Sequence, residues 1–145
     1  MTELNIEQKG VTIKVSGPLF KYGGEPIASA IRDSVHELTA EGERLAKDRA
    51  IEVVYSHGGA HPNRYKPTGR WLNSIHGDVV GEMGTLSDSK LVYGPWLEGV
   101  SSRNETTRFK GYATFRWVFG KLEDMKAGIV EKHIRRAVEK LNGTG

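Results

Sequence analysis

The stretch EPIASAIRDSVHELTAEGERL, residues 25–45, decides the fold. Ile27, Ile31, Val35, Leu38 and Leu45 recur at helical spacing, with Ser34 beside the stripe and Gly42 as its weakest member. That is the pattern of a helix with one buried face. Arg32, Asp33, Glu37, Glu41, Glu43, Arg44, Lys47 and Asp48 take most of the other positions. Glu25-Pro26 suits the opening turn. Proline there lacks only an N–H that would have no intrahelical partner, and the acid complements the positive end of the helix dipole. The stripe continues through Ala46, Ala50, Val53 and Val54 to Gly58-Gly59, which predicts one long helix. A separate strand at Ile51–Tyr55 is the competing reading, because β-branched residues cluster there.

On the N-terminal side, Leu4, Ile6, Val11, Ile13 and Val15 alternate with polar residues around Lys9-Gly10. This predicts a hairpin within residues 1–17, stopped by Gly17-Pro18 and followed by a joint at Gly23-Gly24. On the C-terminal side, residues 58–70 read as a loop. Trp71, Leu72, Ile75, Val79 and Val80 then read as a strand, Gly81–Ser89 as its turn, and Lys90–Tyr93 as a second strand pairing antiparallel with it. Residues 99–113 are polar, basic and long for a loop, a kind of segment that is usually functional or ordered by a partner. From Gly120 onward Leu122, Met125, Ile129, Ile134, Val138 and Leu141 form one helical face, with Val130 and Ala137 alongside and Asn142-Gly143 as the cap. The sum is a single α+β domain over 1–145, in the order ββ-α-ββ-α. A small antiparallel sheet of about four strands packs against a long N-terminal helix and a C-terminal helix, with the core in residues 25–142.

Composition bounds the function. A chain of 145 residues, 37% hydrophobic and 27% charged, supports one core without staples. With no cysteine there is no disulfide, thiolate metal site or cysteine nucleophile. No window resembles a membrane span or a signal peptide, so assembly in the cytoplasm without a membrane partner is expected. His57 and His61 stand four apart, but Gly58, Gly59 and Pro62 make a poor helix there and no HExxH glutamate accompanies them. No phosphate-binding glycine motif or nucleophile elbow is present. Gly77, Gly81 and Gly84 read as a bulge or loose turn rather than a nucleotide cradle. Neither catalysis nor a cofactor is expected, although a small enzyme with an unrecognised site stays open.

The net charge of +3 is too mild to make nucleic acid the main ligand. Its distribution says more. Arg64, Lys66 and Arg70 lie in a stretch without acids, and Arg103, Arg108, Lys110, Arg116 and Lys121 face only Glu105. These stretches are either solvated loops or surfaces toward DNA or an acidic neighbour. Trp71, Tyr93, Trp96, Tyr112, Phe115, Trp117 and Phe119 fall at element boundaries, where aromatics serve the core or anchor interfaces.

Two stretches carry a resemblance. Pro67-Thr68-Gly69-Arg70-Trp71-Leu72-Asn73-Ser74-Ile75 follows the long helix, and Tyr93-Gly94-Pro95-Trp96-Leu97-Glu98-Gly99 precedes the basic loop and closing helix. In this order they resemble the neck or tail-completion (head-tail joining) family of long-tailed siphophages, over residues 27–141. Pro67 stands where that pattern has Asp, Trp96 where Tyr is common, and Gly99 comes directly after Glu98. The resemblance implies a structural virion protein, a six-fold ring between head connector and tail that leaves a channel for DNA. Its implied partners are further copies of the chain, connector or stopper proteins, the tail tube or tail terminator, and DNA passing without sequence-specific binding. It also implies subunit contacts at Trp71, Trp96, Leu97, Glu98, Tyr112 and Trp117, with Glu98 free for a neighbour. Arg64, Lys66, Arg70, Arg103, Arg108 and Lys110 would face the channel or an adjoining ring. A tail terminator or minor tail protein, and a small nucleic-acid-binding module, are the alternatives.

Overall fold

The computed structural model describes residues 2–7, 10–15, 24–55, 69–89 and 94–143. It is an α+β protein in which two long helices lie on an antiparallel sheet. Helix α1 (Gly24–Ala50) ends in a π-helical turn at Ile51–Tyr55, so the chain stays helical past Ala50 instead of turning into a strand. Strands β1 (Thr2–Glu7) and β2 (Gly10–Val15) form the N-terminal hairpin. Strands β3 (His76–Val80) and β4 (Met83–Ser87) form a second hairpin. β2, β4 and β3 make an antiparallel floor under α1, and β1 pairs along the far side of β2, giving the order β1-β2-β4-β3. The last helix, here α5 (Thr114–Gly143), packs along α1 and against β1 and β2.

The buried face of α1 matches the sequence stripe: Ile27, Ile31, Val35 and Leu38 are all at or below 3% exposure, with Ala46 and Ala50 fully buried. Leu38, Ala46 and Ala50 share one cluster with Val11, Ile13 and Leu86 of the sheet and Phe115, Val118, Leu122 and Ile129 of α5, while Ile27, Ile31 and Val35 form a second with Ala137, against which Val79, Val130 and Ile134 pack. The opposite face of the sheet, including Lys14, Asp78, Val80, Met83 and Thr85, is exposed.

The second half of the sheet corrects the sequence reading. Trp71 to Ser74 belongs to a short helix, α2 (Arg70–Ser74), entered through Gly69 at φ +77°. The partner of β3 is β4, which had read as turn; the Lys90–Tyr93 run lies outside the described residues. β4 hides from a propensity reading because α1 presses on the sheet at Gly84, and on neighbouring β3 at Gly77, too closely for a side chain there. A Cβ on Gly84 would sit 2.0 Å from Thr39 Oγ1, one on Gly77 2.6 Å from Thr39 Cγ2, and one on Gly42 2.4 Å from Leu86 Cδ1. Glycine inside a strand marks such close approach, so here it builds the sheet and does not loosen it. The hairpin itself turns at Gly81-Glu82, where Gly81 has φ +60°, as a two-residue loop with glycine first requires.

Two further corrections lie near the C-terminus. The segment 99–113, expected to be a loop, contains α4 (Ser102–Thr106), and a further short helix, α3 (Gly94–Glu98), comes just before it. The closing helix starts at Thr114, before Gly120. Phe115, Val118 and Leu122 continue its buried stripe into the aromatic run that propensity alone assigns elsewhere.

Candidate functional site

The stretches that carried the resemblance meet around the first turn of α5. Helix α5 begins with Ala113 as its N-cap, and alanine has no side-chain oxygen to accept the orphan N–H groups of the opening turn. Glu98, the last residue of α3, supplies the acceptor from a distant part of the chain. Its Oε2 accepts the Phe115 N–H at 2.9 Å and its Oε1 the Arg116 N–H at 3.1 Å. The Arg116 Nε lies 3.3 Å from Glu98 Oε1, and its Nη2 donates to the Glu98 carbonyl. The carboxylate thus sits at the positive end of a 30-residue helix with a guanidinium beside it. Glu98 is only 5% exposed, so the expectation that it is free for a neighbour is overturned: it is a structural cap.

Two backbones cross directly behind this cap. Tyr112 N–H donates to Leu97 O at 2.6 Å and Ala113 N–H to Glu98 O at 3.2 Å. Gly99 (φ +98°) and Gly111 (φ +89°) lie where the strands of chain touch. A Cβ on Gly111 would come within 2.2 Å of Gly99 Cα, and one on Gly99 within 2.2 Å of Lys110 O. Only glycine permits that contact.

The crossing closes the 99–111 segment into a self-braced loop. At its centre Asn104 is 3% exposed. Its Oδ1 accepts Ser101 N–H at 3.1 Å and the Ser101 hydroxyl at 2.9 Å, while its Nδ2 donates to Phe109 O at 3.1 Å. Lys110 Nζ donates to Asn104 O and Glu105 O, the carbonyl end of α4. These bonds brace the loop from within the subunit.

The predicted aromatic residues divide. Trp71 is 3% exposed and stacked on Tyr112, centroids 6.3 Å apart and planes at 27°; Phe109 meets Tyr112 edge-on at 4.9 Å. Trp71 is core, as a residue buried to that degree has no surface to offer a neighbour. Among the described residues its Nε1 has no hydrogen-bond partner. Leu97, Tyr112 and Trp117 are half-buried against the same cluster. Trp117 lies between two cations, Arg49 at 5.4 Å and Lys121 at 5.5 Å from its ring centroid, a cation–π arrangement on a partly exposed face. Trp96 is placed in α3 by its backbone.

Of the basic residues, Arg70 and Arg108 are exposed, Lys110 is engaged inside its own loop, and Arg103 lies on α4. Arg64 and Lys66, like the His57–His61 pair, fall outside the described residues. Among the described residues no group of three His, Cys, Asp or Glu side chains could hold a metal, and no helix is long and apolar enough to cross a membrane. Sequence reasoning missed Asn104, Arg116 and the Gly99–Gly111 crossing. The glycines bracketing the basic segment were the one available signal for it.

Away from this junction, α1 and α5 are tied by Glu37, which accepts hydrogen bonds from Lys132 and faces His133 Nε2. The Lys132 bond above all, with His133 adding to it against a smaller desolvation effect, holds the Glu37 carboxyl below the usual glutamate range. Glu43 is lowered likewise, by its bond from Lys47 and then by the Gly77 N–H, which it accepts at 2.9 Å. Set beside known proteins, the chain matches no family model, no curated protein and no solved structure.

Proposed function

We propose that this chain is a structural subunit of a siphophage neck, a tail-completion protein. It would assemble as a ring, six-fold by resemblance, between the head connector and the tail, and leave a channel for the genome. The observation that carries the reading is the meeting of the two resembling stretches at one junction. Trp71 of the first stacks on Tyr112, whose N–H binds Leu97 of the second. Motifs far apart in sequence that together brace one helix end behave as a framework signature rather than as a reacting centre.

Support also comes from the loop that the junction holds. Its scaffold is internal, so Arg108 and the exposed residues around it form a preset surface of mild positive charge. Weak, sequence-blind contact suits a channel through which DNA must slide. Cyclic assembly requires heterologous contacts, one surface of a copy against a different surface of the next.

Cryo-electron microscopy of particles of the encoding phage, with the chain tagged at its C-terminus, tests the reading. Tag density is expected in a ring at the head–tail junction. A chain found at the distal end of the tail tube would identify a minor tail component instead, and a chain missing from intact particles would remove the proposal.

A further inference from the structure

The tip of the β3–β4 hairpin presents apolar side chains to solvent. Val80 is 76% exposed and Met83 48%. They stand opposite one another beside the Gly81-Glu82 turn, on the sheet face that the helices leave open. A single exposed apolar residue is ordinary on a protein surface, but this pair is framed by acids. Asp78 lies on the same face two residues before Val80, and Glu82 is in the turn itself, both exposed. Among the described residues no ion pair engages Glu82, and Asp78 meets only His76. Lys14 stands beyond Met83 on β2, on the side away from Asp78.

The opposite chemistry gathers at the other end of the molecule. The partly exposed Trp117 ring has Arg49 and Lys121 over it, and Ile51, two residues beyond Arg49, is exposed. Among the described residues Lys121 has no carboxylate partner. The nearby carboxylates are engaged, Glu98 in the cap of α5 and Glu52 against Arg49. Tip and ring cannot meet within one chain. Val79, beside the tip, packs on the cluster of Ile27, Ile31 and Val35, whereas Trp117 packs on the cluster that holds Ala46 and Ala50. Val35 and Arg49 both lie on α1. At about 1.5 Å of rise per residue they stand about 20 Å apart, beyond the reach of any side chain.

We infer that the hairpin tip of one copy seats on the Trp117 end of the next. Val80 and Met83 cover the indole and Ile51, and a methionine thioether against an aromatic ring is a favourable contact. Asp78 and Glu82 meet Lys121 and Arg49. An apolar centre with opposite charges around it is the build of a protein interface. The same pairing decides between occupants. A DNA duplex offers phosphates to the two cations but nothing apolar to Trp117 and Ile51, whereas the hairpin offers both. Tip and seat are different surfaces at opposite ends of the subunit, so the contact is heterologous and repeats from copy to copy. Only the closing of that repeat into a ring rests on the proposed neck assembly.

A carbodiimide joins an amine to a carboxylate only where the two touch, so a link from Lys121 to Glu82 or Asp78 has to come from two copies. Purified chain and intact particles are treated with it, then resolved on a denaturing gel and by peptide mass spectrometry. Bands at successive multiples of 16.1 kDa are expected, with that link in every band above the first. Glu82→Lys and Lys121→Glu should each lose the ladder. The chain carrying both, in which the two charges change places, should regain it, and all three should keep the parent's circular dichroism. No such link in either sample, or a double variant as deficient as the single ones, overturns the inference. So does a Lys121 linked only to another protein of the particle, or a parent chain that gives no ladder yet retards a short DNA duplex through Lys121. Particles that hold the chain at the neck without the link leave the neck assignment standing and remove the contact. The link in purified chain, with the tag missing from the head–tail junction, does the reverse.

Discussion

Gly111 and Gly81 both have positive φ, and they separate two roles that glycine plays. At Gly81 a Cβ would meet nothing within 4 Å, so the turn asks only for the backbone conformation. At Gly111 the same demand is joined by the Gly99 backbone, 2.2 Å from the place a Cβ would occupy. Backbone atoms cannot swing aside as a flexible side chain can. Gly81→Ala should therefore cost about 1–2 kcal/mol, the left-handed penalty alone. Gly111→Ala should cost about 3 kcal/mol or more, since overpacking adds roughly 1–3 kcal/mol. Urea unfolding of the two variants measures the difference. Equal losses would mean that the crossing does not hold the first turn of α5 in place. Glu98 belongs to the same junction and shows why single residues resist sequence reading. A glutamate beside a glycine and a loop reads as exposed, and only the distant arrival of Ala113–Arg116 turns it into a buried cap.

Among the elements, those with a full period of apolar residues were legible. α1 and the N-terminal hairpin follow from alternation and stripe alone, and so does most of α5. Elements whose signal is supplied by a neighbour were not. β4 has Gly84 at the point where α1 lies against it, and α2 carries Trp71, a strand former by propensity, in a helical turn entered through Gly69. The basic loop was legible as functional in type, but its internal brace was not, because Asn104 gives no sequence sign of being buried. That brace has a measurable consequence. Asn104→Ala removes the acceptor of the part-buried Ser101 N–H and one of two donors to the Phe109 carbonyl, which keeps the Thr107 hydroxyl, at about 1–3 kcal/mol. The loop closes on itself, so the loss should be local. Amide exchange is expected to quicken across residues 101–112 while the protected core of α1 and α5 keeps its rates. A uniform change throughout the chain would show that loop and core unfold as one unit.

For the whole molecule, the α1–α5 pair sets the response to acid. Glu37 sits on α1 with Lys132 and His133 of α5 around its carboxylate, and its folded value lies below the unfolded one. The native state then binds fewer protons than the unfolded chain in the interval between those values, so stability rises with pH there. The contribution is complete above the unfolded glutamate value, about 4.3, and disappears as the pH falls through the lower folded value. Glu37 is 38% exposed, so solvent screens the interaction and the effect is modest. Glu37→Gln should melt below the parent near neutral pH. The two curves should draw together as the pH falls through the lowered folded value, where the parent's own carboxyl is protonated. Added salt should narrow the neutral-pH gap, because the partly exposed charges are screened over about 10 Å at 0.1 M. A gap that persists unchanged at low pH would assign the loss to altered hydrogen bonding between the helices. Acid sensitivity would then have to come from other lowered carboxyls, such as Glu41, held down by Arg44, and Glu43, held down by Lys47 and the Gly77 N–H at the edge of β3.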